Sequence, residues 1–239
     1  MIKTLLTLLT LGKLGFVVKT GGTMIISVGA YALIFGWWYA VGIVVLIFVH
    51  EMGHFIAARQ RGLAVGAPTF IPFVGAWIEL KDQPMNARTE AYIGIAGPVA
   101  GTAAALLCYW VAVAIGSKLW LALAYTGFML NLFNLIPLLP LDGGRITNVL
   151  SPRIWWLGIP VLLALFWVSP SPMLILVALL AAPQAWRAIR GRREDDAPPR
   201  YFETPMRTRL VYGIWYLGLC AFLGFMTYEL HSLLAGRGA

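Results

Sequence analysis

The apolar run from Met24 to Val49 is long enough to lie in a bilayer, and it ends in His50-Glu51-Met52-Gly53-His54. Roughly 30 Å of hydrocarbon can be crossed by a single segment only as a helix, because lipid offers backbone polar groups no partner. On a helix, residues four apart share a face, so His50 and His54 aim at one point, and Glu51 lies about 100° round from His50. Ionisable side chains in hydrocarbon are costly, so three within one turn need a task. Two imidazoles on one face can hold a metal ion, and the glutamate between them can carry a proton. The plainer alternative is a pair of core histidines bonded to backbone carbonyls, which leaves the glutamate without a partner.

The chain is 60% hydrophobic and 12% charged over 239 residues, about half the charge of a soluble domain. This composition predicts an all-α polytopic membrane protein in one integrated unit, with about six to seven transmembrane helices. The spans are expected at Thr23–Trp37, Ala40–Ala58, Ala91–Gly116, Leu119–Pro137, Ile154–Val168, Met173–Trp186 and Leu210–Leu234. Trp37-Trp38-Tyr39, Trp155-Trp156 and Trp186 stand at span ends, where interfacial aromatics belong. Residues 1–22 read as an N-terminal interfacial helix, since Ile2, Leu5, Leu6 and Leu9 recur at helical spacing and no signal cleavage site follows. A further transmembrane segment is the alternative there.

A net charge of +8 can signal nucleic acid, but topology explains it better. With seven spans and the N-terminus inside, 16 of the 18 basic residues fall on the cytosolic side and only Lys118 and Arg237 outside. Ser169-Pro170-Ser171-Pro172 separates two spans, because fusing them would move the Arg187–Arg209 cluster to the wrong side. The polar stretch 187–207 is expected to be a solvated cytosolic loop, either a linker or a contact for anionic lipid. The expected partner is therefore the lipid bilayer, with no nucleic acid. Cys108 and Cys220 lie in apolar segments and read as free thiols.

A catalytic zinc ion takes three protein ligands and keeps one position open. Asp142 is the candidate third ligand, an acid among leucines and prolines in Asn134-Leu135-Ile136-Pro137-Leu138-Leu139-Pro140-Leu141-Asp142-Gly143-Gly144-Arg145. Pro137 and Pro140 break the helix, and Gly143-Gly144 allows a tight turn or close approach. The competing reading is an N-cap aspartate for a helix starting near Gly143. The cofactor expected is one Zn2+ ion.

These elements together resemble the site-2 protease family of intramembrane zinc metalloproteases. The resemblance rests on His50–His54, on Asn134 to Gly144, on Phe70 to Ile78, and on Gly94-Ile95-Ala96-Gly97-Pro98-Val99-Ala100-Gly101, in that family's order and spacing. It implies that 23–145 is the catalytic membrane core. It implies His50, His54 and Asp142 as zinc ligands, Glu51 as general base and acid, and Asn134 as the residue that polarises the scissile carbonyl or holds the substrate backbone. Phe70, Ile71, Pro72, Phe73, Val74, Gly75, Ala76, Trp77 and Ile78 look like the family's membrane-associated β-hairpin near 70–80, implied to bind an unwound substrate by edge pairing. A cytosolic loop with a proline turn is the alternative for that segment.

The chain resembles the family's compact members, without a PDZ or cystathionine-synthase-like domain. The remaining 146–239 is assigned to C-terminal transmembrane helices by hydropathy alone. The implied activity is cleavage of transmembrane segments of membrane proteins, with homo-oligomerisation left open. A bacterial or archaeal cytoplasmic membrane is expected from compactness and the lack of a transit-like extension. Gly97, Pro98 and Gly101 are assigned to helix packing, His231 to the surface, and Arg145 either to lipid phosphate or to an acid near the site. Two other readings compete. A metal carrier should show polar positions in matched halves, which this sequence lacks. A catalytically silent relative would have no use for an intact His50, Glu51, His54 and Asp142.

Overall fold

The computed structural model describes residues 2–78, 82, 84–168, 170–189 and 200–236. Helix α1 runs unbroken over Ile2–Phe35, so the expected boundary at residue 22 is not a break in the backbone. Gly36, at φ 83°, ends it, and α2 follows at once over Trp37–Gln60. A positive φ suits glycine, which has no Cβ to clash, and here it lets α1 double back on α2. The hydroxyl of Thr20 donates to Pro68 O (2.9 Å), so the early part of α1 lies beside the segment that leaves α2.

Strands β1 (Thr69–Ile71) and β2 (Gly75–Trp77) form an antiparallel hairpin in which Phe70 opposes Ala76. The apolar segment 70–78 is thus two short strands and a turn. It is tied to α1: Phe70 N donates to Thr23 Oγ1 (3.1 Å), and Phe73 N donates to the hydroxyl of Tyr31 (3.1 Å).

Helix α3 covers Ala87–Ile115. Asn86 caps it by accepting from Thr89 N at 2.8 Å, and Gly116, at φ 66°, ends it. Helix α4 covers Lys118–Asn134. It stops three residues short of the expected Pro137, because Pro137 has no N–H to continue the ladder. Helix α5 is the short Asp142–Thr147. The expected span Ile154–Val168 is not one α-helix. A 3₁₀ turn (Pro152–Leu157) precedes the 11-residue α6 (Gly158–Val168). Helices α7 (Pro172–Ile189) and α8 (Met206–Gly236) are the last of the described elements. Of the expected loop 187–207, residues 190–199 lie outside those described.

Among the described residues, four helical stretches are long and apolar enough to cross a membrane: Val18–Phe35 within α1, and α2, α3 and α8. The expected count of six to seven is not reached by this measure. Helix α4 has 17 residues, and α6 and α7 offer only short apolar stretches. Large apolar side chains such as Leu33, Trp38, Trp110 and Trp167 stand exposed on the outside. That is costly in water and fitting in lipid.

The main core lies between α2, α3, α4 and α8, around Val44, Ala105, Phe128 and Leu223. A second cluster packs α6 and α7 against residues 136–141 through Leu138, Leu162 and Val177. Close approach of α2 to α3 depends on small residues: a Cβ at Gly53 would collide with the carbonyl of Ala96.

Candidate metal centre

Helix α2 carries His50 and His54 one turn apart, both nearly buried at 3% and 6% exposure. Because α2 begins at Trp37, three residues earlier than expected, His50 lies roughly 20 Å along it and about 15 Å from its end. That depth leaves the motif inside the helix. Asp142 opens α5, and its carboxylate, 7% exposed, reaches both imidazoles. His50 Nε2 stands 3.1 Å from Asp142 Oδ2, and His54 Nε2 stands 3.2 Å from Asp142 Oδ1. The two Nε2 atoms are 3.1 Å apart. Asp142 caps no N–H with its side chain, so the competing reading as an N-cap does not describe it.

The outer ring nitrogens decide what the inner ones can do. His50 Nδ1 lies 2.8 Å from Asn131 Oδ1, and His54 Nδ1 lies 2.8 Å from the carbonyl of Ile93. Asn131 is itself oriented, since its Nδ2 donates to Gly127 O at 2.6 Å. Both partners are acceptors, so both Nδ1 atoms carry the protons and both Nε2 atoms present lone pairs. Two lone pairs and a carboxylate then face one another, with ligand atoms all within 4.8 Å. Three buried acceptors repel unless a cation lies between them. A tetrahedron with arms of about 2.0 Å has edges of about 3.3 Å, close to the separations found. The residues therefore fit zinc.

Two glycines of α3 make this arrangement possible. A Cβ at Gly97 would overlap the imidazole of His54, and one at Gly101 would overlap the amide of Asn131. Their expected role was packing, and what they pack against is the metal centre. The double glycine of α5 has a similar origin. A Cβ at Gly143 would strike the carbonyls of Leu135 and Ile136, and one at Gly144 would strike the backbone of Leu138 and Leu139. Neither glycine has a positive φ, so close approach and not turn geometry explains the pair.

Beside the ligands lies a cavity of about 340 Å³. Glu51 lines it, half-buried, with no hydrogen-bond or ion-pair partner within reach among the described residues. Asn134, the last residue of α4, lines it too, as do Phe73, Val74, Gly75, Ala76 and Ile78 of the hairpin. The rest of the expected 70–78 segment lies elsewhere: Phe70 is buried in the core against Phe48, while Ile71 is exposed and neither it nor Pro72 borders the cavity. For Trp77 only the backbone pairing with Thr69 is described. Arg145 faces the cavity near Glu51, which favours the second of its two expected roles. His231 lies apart, with its ring 5.9 Å from that of Tyr125.

Sequence reasoning missed Asn131, the carbonyl of Ile93, and α7, whose Leu176, Val177 and Leu180 form a wall of the cavity. One signal was available for Asn131: it lies three residues before Asn134 on α4, so the two share a face.

Comparison with known proteins agrees with this centre. Residues 38–117 match the profile of Peptidase family M50. The chain is 30% identical over 143 residues to zinc metalloprotease MJ0392 of Methanocaldococcus jannaschii, covering 57% of this chain and 41% of that protein. It is 31% identical over 137 residues to Rip3 of Mycobacterium tuberculosis (51% and 34% of the two chains). It is 32% identical over 119 residues to sll0528 of Synechocystis sp. (46% and 29%). Less than half the length of each of these relatives is covered. Over residues 38–117, beside the buried His50–His54–Asp142 group, the chain is therefore similar to zinc metalloproteases of Peptidase family M50.

Proposed function

We propose that the chain is an intramembrane zinc endopeptidase that cuts transmembrane segments of membrane proteins. One observation carries the reading: an acceptor-only triad suited to zinc borders a cavity that also holds an uncommitted glutamate and an open strand edge. A zinc ion held by His50, His54 and Asp142 would supply Lewis acidity and lower the pKa of the attacking water toward neutrality. Glu51 takes the proton of the attacking water and returns it to the leaving amine. Asn134 donates a hydrogen bond to the carbonyl oxygen as negative charge develops there. His50 and His54 keep their orientation through Asn131 and Ile93.

A helical substrate hides its carbonyls in its own hydrogen bonds, so it unwinds before attack. Unpaired backbone groups in lipid cost several kcal/mol each. The free edge of β2 offsets that cost by adding the substrate as a strand. The polypeptide lies in a prokaryotic cytoplasmic membrane with its N-terminus in the cytosol, and the bond cut lies toward the cytosolic side.

The test compares the purified protein with Glu51→Gln. Zinc content stays at about one ion per chain in both, and cleavage of a single-span substrate falls about 10²- to 10⁴-fold in the variant. Equal cleavage by the two proteins removes Glu51 from the mechanism. Zinc transport that persists in the variant, without cleavage in either protein, makes the chain a carrier.

A further inference from the structure

Helices α2, α3 and α8 enclose a second cavity, of about 730 Å³, whose floor is the contact of Gly53 with Ala96. Its chemistry changes along its length. At the helix ends it is lined by Arg88, in the first turn of α3, and Arg207, in the first turn of α8. Both are exposed, and neither has a carboxylate partner among the described residues. Arg61 adds a third cation beside this mouth, stacked 3.9 Å from the ring centre of Tyr92. Among the described residues, Glu90 accepts from Asn148 and Tyr201, and Asp82 accepts from Ala64 N.

About one to three turns further along the helices the lining is apolar, with Ile56, Val99, Val211 and Trp215 between 40% and 59% exposed. Val99 lies about 16 Å along α3 from Arg88, and Trp215 about 12 Å along α8 from Arg207. A cationic mouth above an apolar shaft of that length, open to the side of a membrane helix bundle, matches a molecule with an anionic head and a long hydrocarbon tail. Guanidinium groups hold a phosphate diester by charge-assisted hydrogen bonds, and apolar walls bury the hydrocarbon chain.

We propose that this groove binds an anionic phospholipid of the leaflet at the Arg88–Arg207 end, with its phosphate on Arg88 and Arg207 and an acyl chain along Val99, Val211 and Trp215. The inference rests on the bilayer reading of α2, α3 and α8 and does not require proteolysis.

Native mass spectrometry of the full chain in detergent tests it, with dioleoyl phosphatidylglycerol and dioleoyl phosphatidylcholine supplied at equal concentration. Wild type and Glu51→Gln alike retain one phosphatidylglycerol at least tenfold in preference to phosphatidylcholine. Arg88→Gln/Arg207→Gln brings that preference down to near parity, while Arg153→Gln, an exposed arginine outside the groove, leaves it unchanged. Arg207→Gln alone lowers it severalfold, so the test stands even if the double variant fails to fold. Val211→Trp, which fills the shaft, lowers retention of both lipids. Wild-type retention by the arginine variants overturns the proposal, as does equal retention of the two lipids or displacement by millimolar inorganic phosphate, which would mark a free-anion site. Unchanged lipid retention with impaired substrate cleavage in the arginine variants also overturns it, and would assign the groove to a protein helix.

Discussion

An imidazole offers Nε2 to a metal only when its proton sits on Nδ1. Asn131 and the Ile93 carbonyl impose that tautomer on His50 and His54. Neither can be a ligand itself, yet removal of such a supporting partner typically costs 10- to 100-fold in metal affinity. Asn131→Ala should therefore weaken zinc binding by that factor, read by competition with a chromophoric chelator, while secondary structure stays intact. Wild-type affinity in the variant would show that the helix alone orients His50. Gly97→Ala acts by a different route. Its methyl group would occupy the space of the His54 imidazole, and overpacking of this kind costs about 1–3 kcal/mol. His54 is the softer neighbour, so it should swing away. Zinc content and cleavage should then fall together, whereas Glu51→Gln separates them. Unchanged zinc content in Gly97→Ala would mean that α3 yields and His54 does not.

Among the elements, legibility followed the length over which a pattern repeats. Helices α2, α3 and α8 were readable because an apolar run of two dozen residues has few other solutions. The metal triad was readable because His50 and His54 share a helix face and Asp142 breaks an apolar context. Asn131 was hidden because one polar residue in an apolar helix is silent about which helix it meets. The α6 region was misread because hydropathy reports burial or lipid exposure and is indifferent to a 3₁₀ turn. The hairpin near 70–80 was legible through its resemblance to the family's β-hairpin, but which of its residues border the cavity depends on strand alternation, and that starts only once the turn is placed. Strand alternation also provides the test of this element. Along β2, successive N–H groups point alternately to β1 and to the open edge. Proline placed in turn at Ala76 and Trp77 therefore removes one ladder donor and one edge donor. Loss of an edge donor should cut kcat/KM about tenfold, the equivalent of one hydrogen bond near 1.4 kcal/mol, with zinc content unchanged. If neither proline alters kcat/KM, substrate does not pair with β2.

At the scale of the whole molecule, sidedness can be argued without counting spans. Gln60 at the end of α2, Arg88 at the start of α3 and Arg207 at the start of α8 line one cavity, so those three helix ends share one end of the molecule. Asn148, just after α5, and Tyr201, just before α8, both bond Glu90 in the first turn of α3, which brings two more connections to that end. Asn148 and Tyr201 therefore lie at the same end, whether or not α6 and α7 each cross a full bilayer. Since α1 doubles back on α2, its early residues lie at this end too. The start of α4 and the end of α8 lie at the opposite end. Among the described residues Lys118 stands at that end, whereas Arg61, Arg88 and Arg207 stand at the first, and lysine and arginine accumulate on the cytosolic side. The prediction is a cytosolic N-terminus and an external C-terminus, independent of the number of full crossings. Single cysteines at Arg61, Ser117 and Gly236, in a Cys108→Ala/Cys220→Ala background, test it with a membrane-impermeant maleimide on intact cells. Ser117→Cys and Gly236→Cys should label from outside, and Arg61→Cys only after the membrane is opened. Labelling of Arg61→Cys and Gly236→Cys from the same side would break the parity argument, because α8 would then not cross.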